Sequence, residues 1–155
     1  MSAQLRPMRE DEFRAWLPGM RDGYAEDIRR HGGASAEAAQ AKADRDVEQL
    51  FPGGEMSAEQ AVFVIEEDGE PVGELWVAER DGEFGRVLWI YEIHVREDSR
   101  GRGLGKAAMA FAEDEARRRG ISRVALNVFG GNEVARGLYS SLGYAEVAVA
   151  MGKDV

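Results

Sequence analysis

Residues 100–106 read Arg-Gly-Arg-Gly-Leu-Gly-Lys. Glycines at alternate positions pack a core poorly, but they let a backbone approach another group closely. An apolar run at 87–95 precedes them and reads as a strand, and a helical pattern begins at Leu104. A turn that opens a helix leaves N–H groups unpaired, and such a terminus attracts anions. Arg100, Arg102 and Lys106 add positive charge at the same place. This stretch is therefore expected to cradle a phosphate group. On the strand before it, Glu92 stands between Tyr91 and Ile93. A carboxylate on an otherwise apolar strand is costly to bury without a partner or a role. Strand alternation puts Glu92 and His94 on one face, and Ile93 and Val95 on the other.

The elements that must position these groups follow from periodicity and punctuation. Residues 5–8 read as a short first strand. Phe13, Trp16, Leu17, Met20 and Tyr24 recur at helical spacing, and Pro18-Gly19 predicts a kink or two helical pieces. Gly32-Gly33 ends that region, and Ser35 is expected to cap a second helix with Ala39, Ala43, Val47 and Leu50 on one face. Phe51-Pro52-Gly53-Gly54 stops it. Residues 61–66 and 71–78 predict a hairpin around Asp68-Gly69. Asp81-Gly82 marks the next turn, and 87–95 returns as the third strand of a meander. Leu104, Ala108, Phe111 and Ala112 define a helix closed by Arg117-Arg118-Arg119 and Gly120. Residues 124–129 form the next strand, and a crossover of this length implies a parallel pair. Asn132 is expected to cap a helix carrying Val134, Leu138 and Leu142. Gly143 ends it, and residues 144–151 are expected as a last strand. The class is α/β, of the α+β type: a meander running into a β-α-β-α-β half.

Composition narrows the function. A chain of 155 residues suits one domain with a real core. No apolar run approaches the roughly 20 residues of a membrane helix, and the N-terminus lacks a signal-peptide h-region, so a cytoplasmic protein is expected. The absence of cysteine excludes thiol catalysis, disulfides and thiolate zinc sites, and no metal is expected. A net charge of −9 weighs against a nucleic-acid surface and is compatible with a cationic partner such as an amine. Against that acidic background, the basic cluster at 100–106 points to a particular anionic ligand.

Two familiar phosphate patterns fit that cluster poorly. The Walker A pattern fails because Arg100 stands at its first glycine and Ala107 at its hydroxyl position. GxGxxA matches Gly103, Gly105 and Ala108, but the strand ends well before it, and no acid follows the next strand to hold a ribose. The third pattern, [Q/R]xxGx[G/A], matches Arg100-Gly101-Arg102-Gly103-Leu104-Gly105 between a strand and a helix. It resembles the acyl-CoA-binding loop of the Gcn5-related N-acetyltransferase family. Residues 127–144, NVFGGNEVARGLYSSLGY, resemble that family's fifth strand and following helix. Ala150-Met151-Gly152-Lys153 looks like its last strand.

The resemblance implies a mixed, mainly antiparallel sheet with a splayed parallel strand pair and helices on both faces. It implies residues 61–155 as an acyl-CoA-binding core and 1–55 as a helical acceptor-side region. The implied cosubstrate is acetyl-CoA, the implied partner an amine acceptor, and the implied assembly a monomer or homodimer. Main-chain N–H groups of Arg102, Gly103, Leu104, Gly105 and Lys106 would take the pyrophosphate, with Gly101 and the basic side chains beside them. Ile93, His94 and Val95 would run along the pantetheine arm, with a backbone N–H near Val95 at the oxyanion. Asn127, Asn132, Ala135 and Tyr139 would complete the cofactor contacts. An amine of pKa near ~10.4 must lose a proton before it attacks. Glu92 either takes that proton, orients the amine, or pairs with an arginine. His94 either relays protons or is structural. Tyr139 corresponds to the family's usual general acid. Trp16, Tyr24, Glu26 and Asp27 form an aromatic-acidic set suited to a cation, although Trp16 and Tyr24 also fit the apolar stripe. A non-catalytic acyl-CoA sensor and a transferase for another short acyl-CoA are the competing readings.

Overall fold

The computed structural model describes residues 3–155. Strands β1 (Ala3–Pro7), β2 (Gln60–Glu67), β3 (Glu70–Gly82), β4 (Gly85–Val95) and β5 (Val124–Leu126) form one sheet in chain order. The first four are antiparallel neighbours, and β5 lies parallel to β4. Helices α1 (Glu10–Gly32) and α2 (Ala36–Leu50) separate β1 from β2. Helix α3 (Leu104–Arg118) makes the crossover to β5, and α4 (Glu133–Ser141) follows. The mixed sheet between helical layers is the fold class expected from the sequence.

Local chemistry accounts for most boundaries. Acids fill the first turn of α1 and Arg29, Arg30 and His31 its last, so both ends complement the helix dipole. Gly33 ends it in the left-handed region at φ 69°. The Ser35 hydroxyl accepts from the Ala38 N–H at 3.1 Å and starts α2. Asp68 and Gly69, at φ 52° and 85°, make the two-residue turn between β2 and β3.

Each face of the sheet has its own core. Phe63, Leu75, Val77, Leu88 and Ile90 pack against Met109, Ala112 and Ala116 of α3. On the other face, Val62 and Trp76 meet Phe13, Leu17 and Met20 of α1, Val47 of α2, and Phe51. Phe51 is fully buried, with its ring 4.9 Å from Trp76. Burial of each large side chain contributes about 1.5–3 kcal/mol.

Five local expectations are corrected. Helix α1 runs unbroken through Pro18. Pro18 is exposed, so water can reach the Arg14 carbonyl it leaves unpaired, and Phe13, Leu17 and Met20 anchor the helix on both sides. The β3–β4 turn falls at Glu83-Phe84, because β3 continues through Asp81-Gly82. Strand β5 stops at Leu126 instead of reaching Phe129. Residues 144–151 form no strand, and Val134, grouped from sequence with Leu138 and Leu142, is 88% exposed. No helix among the described residues is long and apolar enough to cross a membrane.

Candidate active site

A bulge in β4 decides which groups face which layer. Trp76 pairs with Glu92, but Val77 pairs with Ile90, so Tyr91 is an extra residue. Strict alternation from Leu88 and Ile90 would carry Glu92 and His94 onto the α3 face. The bulge resets the parity. Ile93 and Val95 pack on the α3 side with Leu104 and Ala108. Glu92 and His94 lie on the α1–α2 side, opposite Trp76 and Glu74 of β3. Tyr91 stacks on Trp76 at 4.5 Å and fills the bend. Gly73 lets the end of β4 come close, since a side-chain carbon there would lie 2.1 Å from the His94 carbonyl oxygen.

Beyond the bulge, β4 has lost its other neighbour. Pairing with β5 ends at Ile90–Leu126, while β4 continues to Val95. The chain after β5 turns toward the other layer: Phe129 packs against α1 and α2 and stacks on His31 at 5.5 Å. The His94 carbonyl and the Arg96 N–H face β3. By alternation, Ile93 and Val95 present their backbone groups to the gap. The Val95 carbonyl there accepts from Arg100 Nε at 3.0 Å.

The glycine stretch stands at this gap. Gly101 and Gly103 sit at φ 77° and 80° with open space around them, conformations that other residues adopt only with strain. Gly103 precedes α3 with no side-chain cap, and no backbone N–H of residues 101–106 finds an acceptor among the described residues. Leu104 is buried and anchors the turn. Arg102 is tied down, donating to Glu67 at 2.6 Å and to the Asp98 carbonyl at 3.3 Å. Lys106 is exposed. An open cleft of about 600 Å³ lined by His94, Arg96, Glu97, Asp98 and Arg100 adjoins the turn. The arrangement leaves a run of main-chain amides without acceptors, a geometry suited to an anion.

On the other face the groups are acidic. Glu92 is half-buried, its Oε2 is enclosed, and that atom has no hydrogen-bond partner. Burial pushes its carboxyl up to about 7; the nearby Glu74 and Asp27 charges add to the push, and His94 opposes it. Asp27, on α1, is also raised by burial. His94 Nδ1 lies 3.0 Å from Glu74 Oε2, and that bond raises the imidazole's pKa. The structure thus gathers Glu92 and His94 with two acids. Asp27 was grouped from sequence only with its helix neighbours. Glu74 was missed, although an acid inside the apolar β3 run was a usable signal. The aromatic-acidic set itself disperses. Trp16 packs with Phe13, Phe51 and Trp76, the Tyr24 hydroxyl donates to Asp46 at 2.8 Å, and Glu26 pairs with Arg29.

Tyr139 belongs to the α3 side. It packs against that core, burial raises its pKa, and its hydroxyl has no hydrogen-bond partner among the described residues. Gly105 brings α4 close, because a side-chain carbon there would lie 3.3 Å from Leu138. The cradle and Tyr139 are therefore neighbours, while Glu92 faces the opposite layer across the gap. Asn132 caps α4, its Oδ1 accepting from the Ala135 N–H at 3.2 Å. Asn127 is exposed just past the end of β5.

The sheet parts between its parallel strand pair, and the unpaired amides before α3 stand at the parting. Residues 19–144 match the acetyltransferase (GNAT) family, and the chain belongs to it. It is 31% identical to the uncharacterized N-acetyltransferase YycN of Bacillus subtilis (strain 168) over 156 residues, covering all of both chains. The uncharacterized N-acetyltransferase YdgE of the same organism is also 31% identical, over 100% of this chain and 99% of its own. The crystal structure of YycN superposes with a TM-score of 0.90 at 30% identity, covering 99% of each chain. At family level, then, this is an acetyltransferase, and members of the family use acetyl-CoA.

Proposed function

We propose that this protein transfers the acetyl group of acetyl-CoA directly to a primary amine, within one domain spanning residues 1–155. The reading is carried by one observation. The uncapped N-terminus of α3, fed by Gly101 and Gly103, opens beside the stretch of β4 that β5 has released. Pyrophosphate would lie on the amides of residues 102–106, with Lys106 and the free end of Arg100 beside it. The pantetheine arm would run along Ile93, His94 and Val95, past Asn127, Asn132 and Ala135. The Val95 N–H, turned to the gap, suits the developing oxyanion. Residues 1–55 would form the acceptor side.

A substrate ammonium gives one proton to Glu92 and becomes nucleophilic. Its nitrogen forms the C–N bond, the C–S bond breaks, and the sulfur takes the Tyr139 proton. The second nitrogen proton is released, and Tyr139 is re-protonated from solvent. Its burial suits it to this role, since the hydroxyl stays protonated at neutral pH. His94, held by Glu74, is placed to pass protons onward or to hold a water.

Thiol release from acetyl-CoA across a panel of amines, with calorimetry of CoA binding, tests the proposal. Turnover with at least one amine and measurable CoA affinity are expected. Tight CoA binding without turnover on any amine would make the protein a sensor. Faster thiol release from another short acyl-CoA would change the donor, and no affinity for CoA or its thioesters would overturn the reading.

A further inference from the structure

Only two polar residues are buried among the described residues, Glu67 and Ser99, and both stand at the glycine turn. Ser99 closes the short turn at Glu97–Ser99 that leads into Arg100, its N–H donating to the Arg96 carbonyl at 2.9 Å. Glu67 comes from a distant part of the chain. It ends β2, on the face toward α3 that Phe63 and Ile65 also share. It is 8% exposed; one carboxylate oxygen accepts from Arg102 Nη1 at 2.6 Å, and the other is enclosed without a partner. Such a pair is a poor way to stabilise a fold. Desolvation cancels much of its attraction, and an apolar side chain of similar volume is often as good or better. Its use lies in what it holds.

We propose that Glu67 is a positioning residue for the acetyl-CoA site: through Arg102 it holds the glycine turn with its amides open to the gap before the cosubstrate arrives. The inference rests on the acetyl-CoA reading given above. Arg102 stands between Gly101 and Gly103, which sit at φ 77° and 80° with open space around them. Glycines that let a backbone approach a ligand also leave it free to move. Arg102 fastens the middle of this segment to two other parts of the chain, the end of β2 through Glu67 and the preceding turn through the Asp98 carbonyl. Its guanidinium is thereby engaged with protein, while the amides of residues 101–106 keep no acceptor among the described residues. A turn already held in its binding shape loses less freedom when the ligand arrives, and so binds it more tightly. Charge alone predicts the opposite sign. An anion beside a phosphate site repels the ligand, so removing Glu67 and freeing Arg102 would then tighten binding. The sign of the effect decides between the two.

Calorimetry of CoA binding and nitrogen-15 relaxation of the ligand-free full chain test this in Glu67→Ala, Glu67→Gln and the double variant Glu67→Ala/Arg102→Ala. Glu67→Ala leaves Arg102 half in water, so no buried charge is stranded and the fold should persist. In the wild type the Gly101 and Gly103 amides should have order parameters near ~0.85, falling to about 0.6 or below in Glu67→Ala. The same variant should weaken CoA binding by about tenfold. Adding Arg102→Ala should cost no more, because the two residues act as one unit. Glu67→Gln, whose amide oxygen can still accept from Arg102, should recover most of the affinity and order. Tighter CoA binding in Glu67→Ala, lost again in the double variant, would make Arg102 a phosphate ligand that Glu67 restrains, and would overturn the proposal. Unchanged order at Gly101 and Gly103 in Glu67→Ala would overturn it too. If CoA binds the wild type and Glu67→Ala equally, only this inference fails; if the wild type has no affinity for CoA, the acetyl-CoA reading fails and this inference with it.

Discussion

The two faces of the sheet solve opposite electrostatic problems within one short stretch of β4. On the α3 side, the approach to the gap is lined by unpaired main-chain amides, with Arg100 and Lys106 beside them. On the α1–α2 side, burial holds the Glu92 proton, and the nearby Glu74 and Asp27 charges add to that hold. One side suits an anion, and the other suits a cation that must give up a proton. The bulge at Tyr91 turns consecutive parts of one strand to the two tasks. The parting of β4 from β5 is the passage between them. If acetyl transfer uses both faces as proposed, variants on the two should fail in different ways.

The largest expected effect is on the acidic face. Glu92→Gln should lower kcat/KM by ~10²–10⁴-fold if the carboxylate takes the amine proton. For the wild type, kcat/KM should rise with pH through about 7, where burial places the Glu92 carboxyl, and the variant should lose that limb. Stability should move the other way. A carboxyl raised from its ordinary 4.5 to about 7 binds its proton more tightly in the folded state. Its ionisation therefore destabilises the fold increasingly between those values and fully above them. Glu92→Gln should then raise Tm at pH 8 by several degrees, about 5 °C, with the gain vanishing near pH 4.5. A pH profile and a thermal melt check both halves. An unchanged acid limb would break the assignment of the acidic face.

On the other face, Tyr139→Phe should lower kcat by ~10²-fold or more while leaving the KM for acetyl-CoA nearly unchanged. Steady-state kinetics at saturating amine reads this, and an unaltered rate would remove Tyr139 from the chemistry. Gly103→Val should instead act on binding. A β-branched residue at φ 80° strains the turn and moves the amides, so the KM for acetyl-CoA should rise by roughly tenfold. A rise in the amine KM alone would show that the cradle serves the acceptor.

Much of this arrangement was legible from residue types. The turn at 100–106 was marked by its glycines and arginines, and the place of Glu92 by its apolar neighbours. The bulge was not legible, because nothing in Tyr91-Glu92-Ile93 announces a two-for-one pairing. Alternation within 92–95 was right only because those residues all follow the bulge. Pro18 signalled a break that the structure does not make, since burial on both sides outweighs one lost hydrogen bond at a solvated carbonyl. Past the parting of the strands, Phe129 meets His31 across nearly a hundred residues, and no local pattern encodes such a contact. The strand expected at 144–151 has the right alternation but no ladder partner among the described residues, and periodicity alone does not supply a neighbouring edge.

The finest test of the two-face contrast concerns His94. Its imidazole is raised first by the bond to Glu74, then by the charges of Glu74 and Glu92, with burial and Arg100 opposing. If the acidic face works as a coupled set, Glu74→Gln should lower the His94 pKa and reduce activity by only a few-fold. Glu92 should respond in two opposing ways. Loss of the Glu74 charge eases its ionisation, while a His94 more often neutral makes it harder. The acid limb of kcat/KM should therefore move less than the His94 titration does. Proton NMR of the imidazole beside the pH–rate profile separates the two. A His94 titration indifferent to Glu74→Gln would mean that the 3.0 Å contact carries no coupling, and that Glu92 works alone.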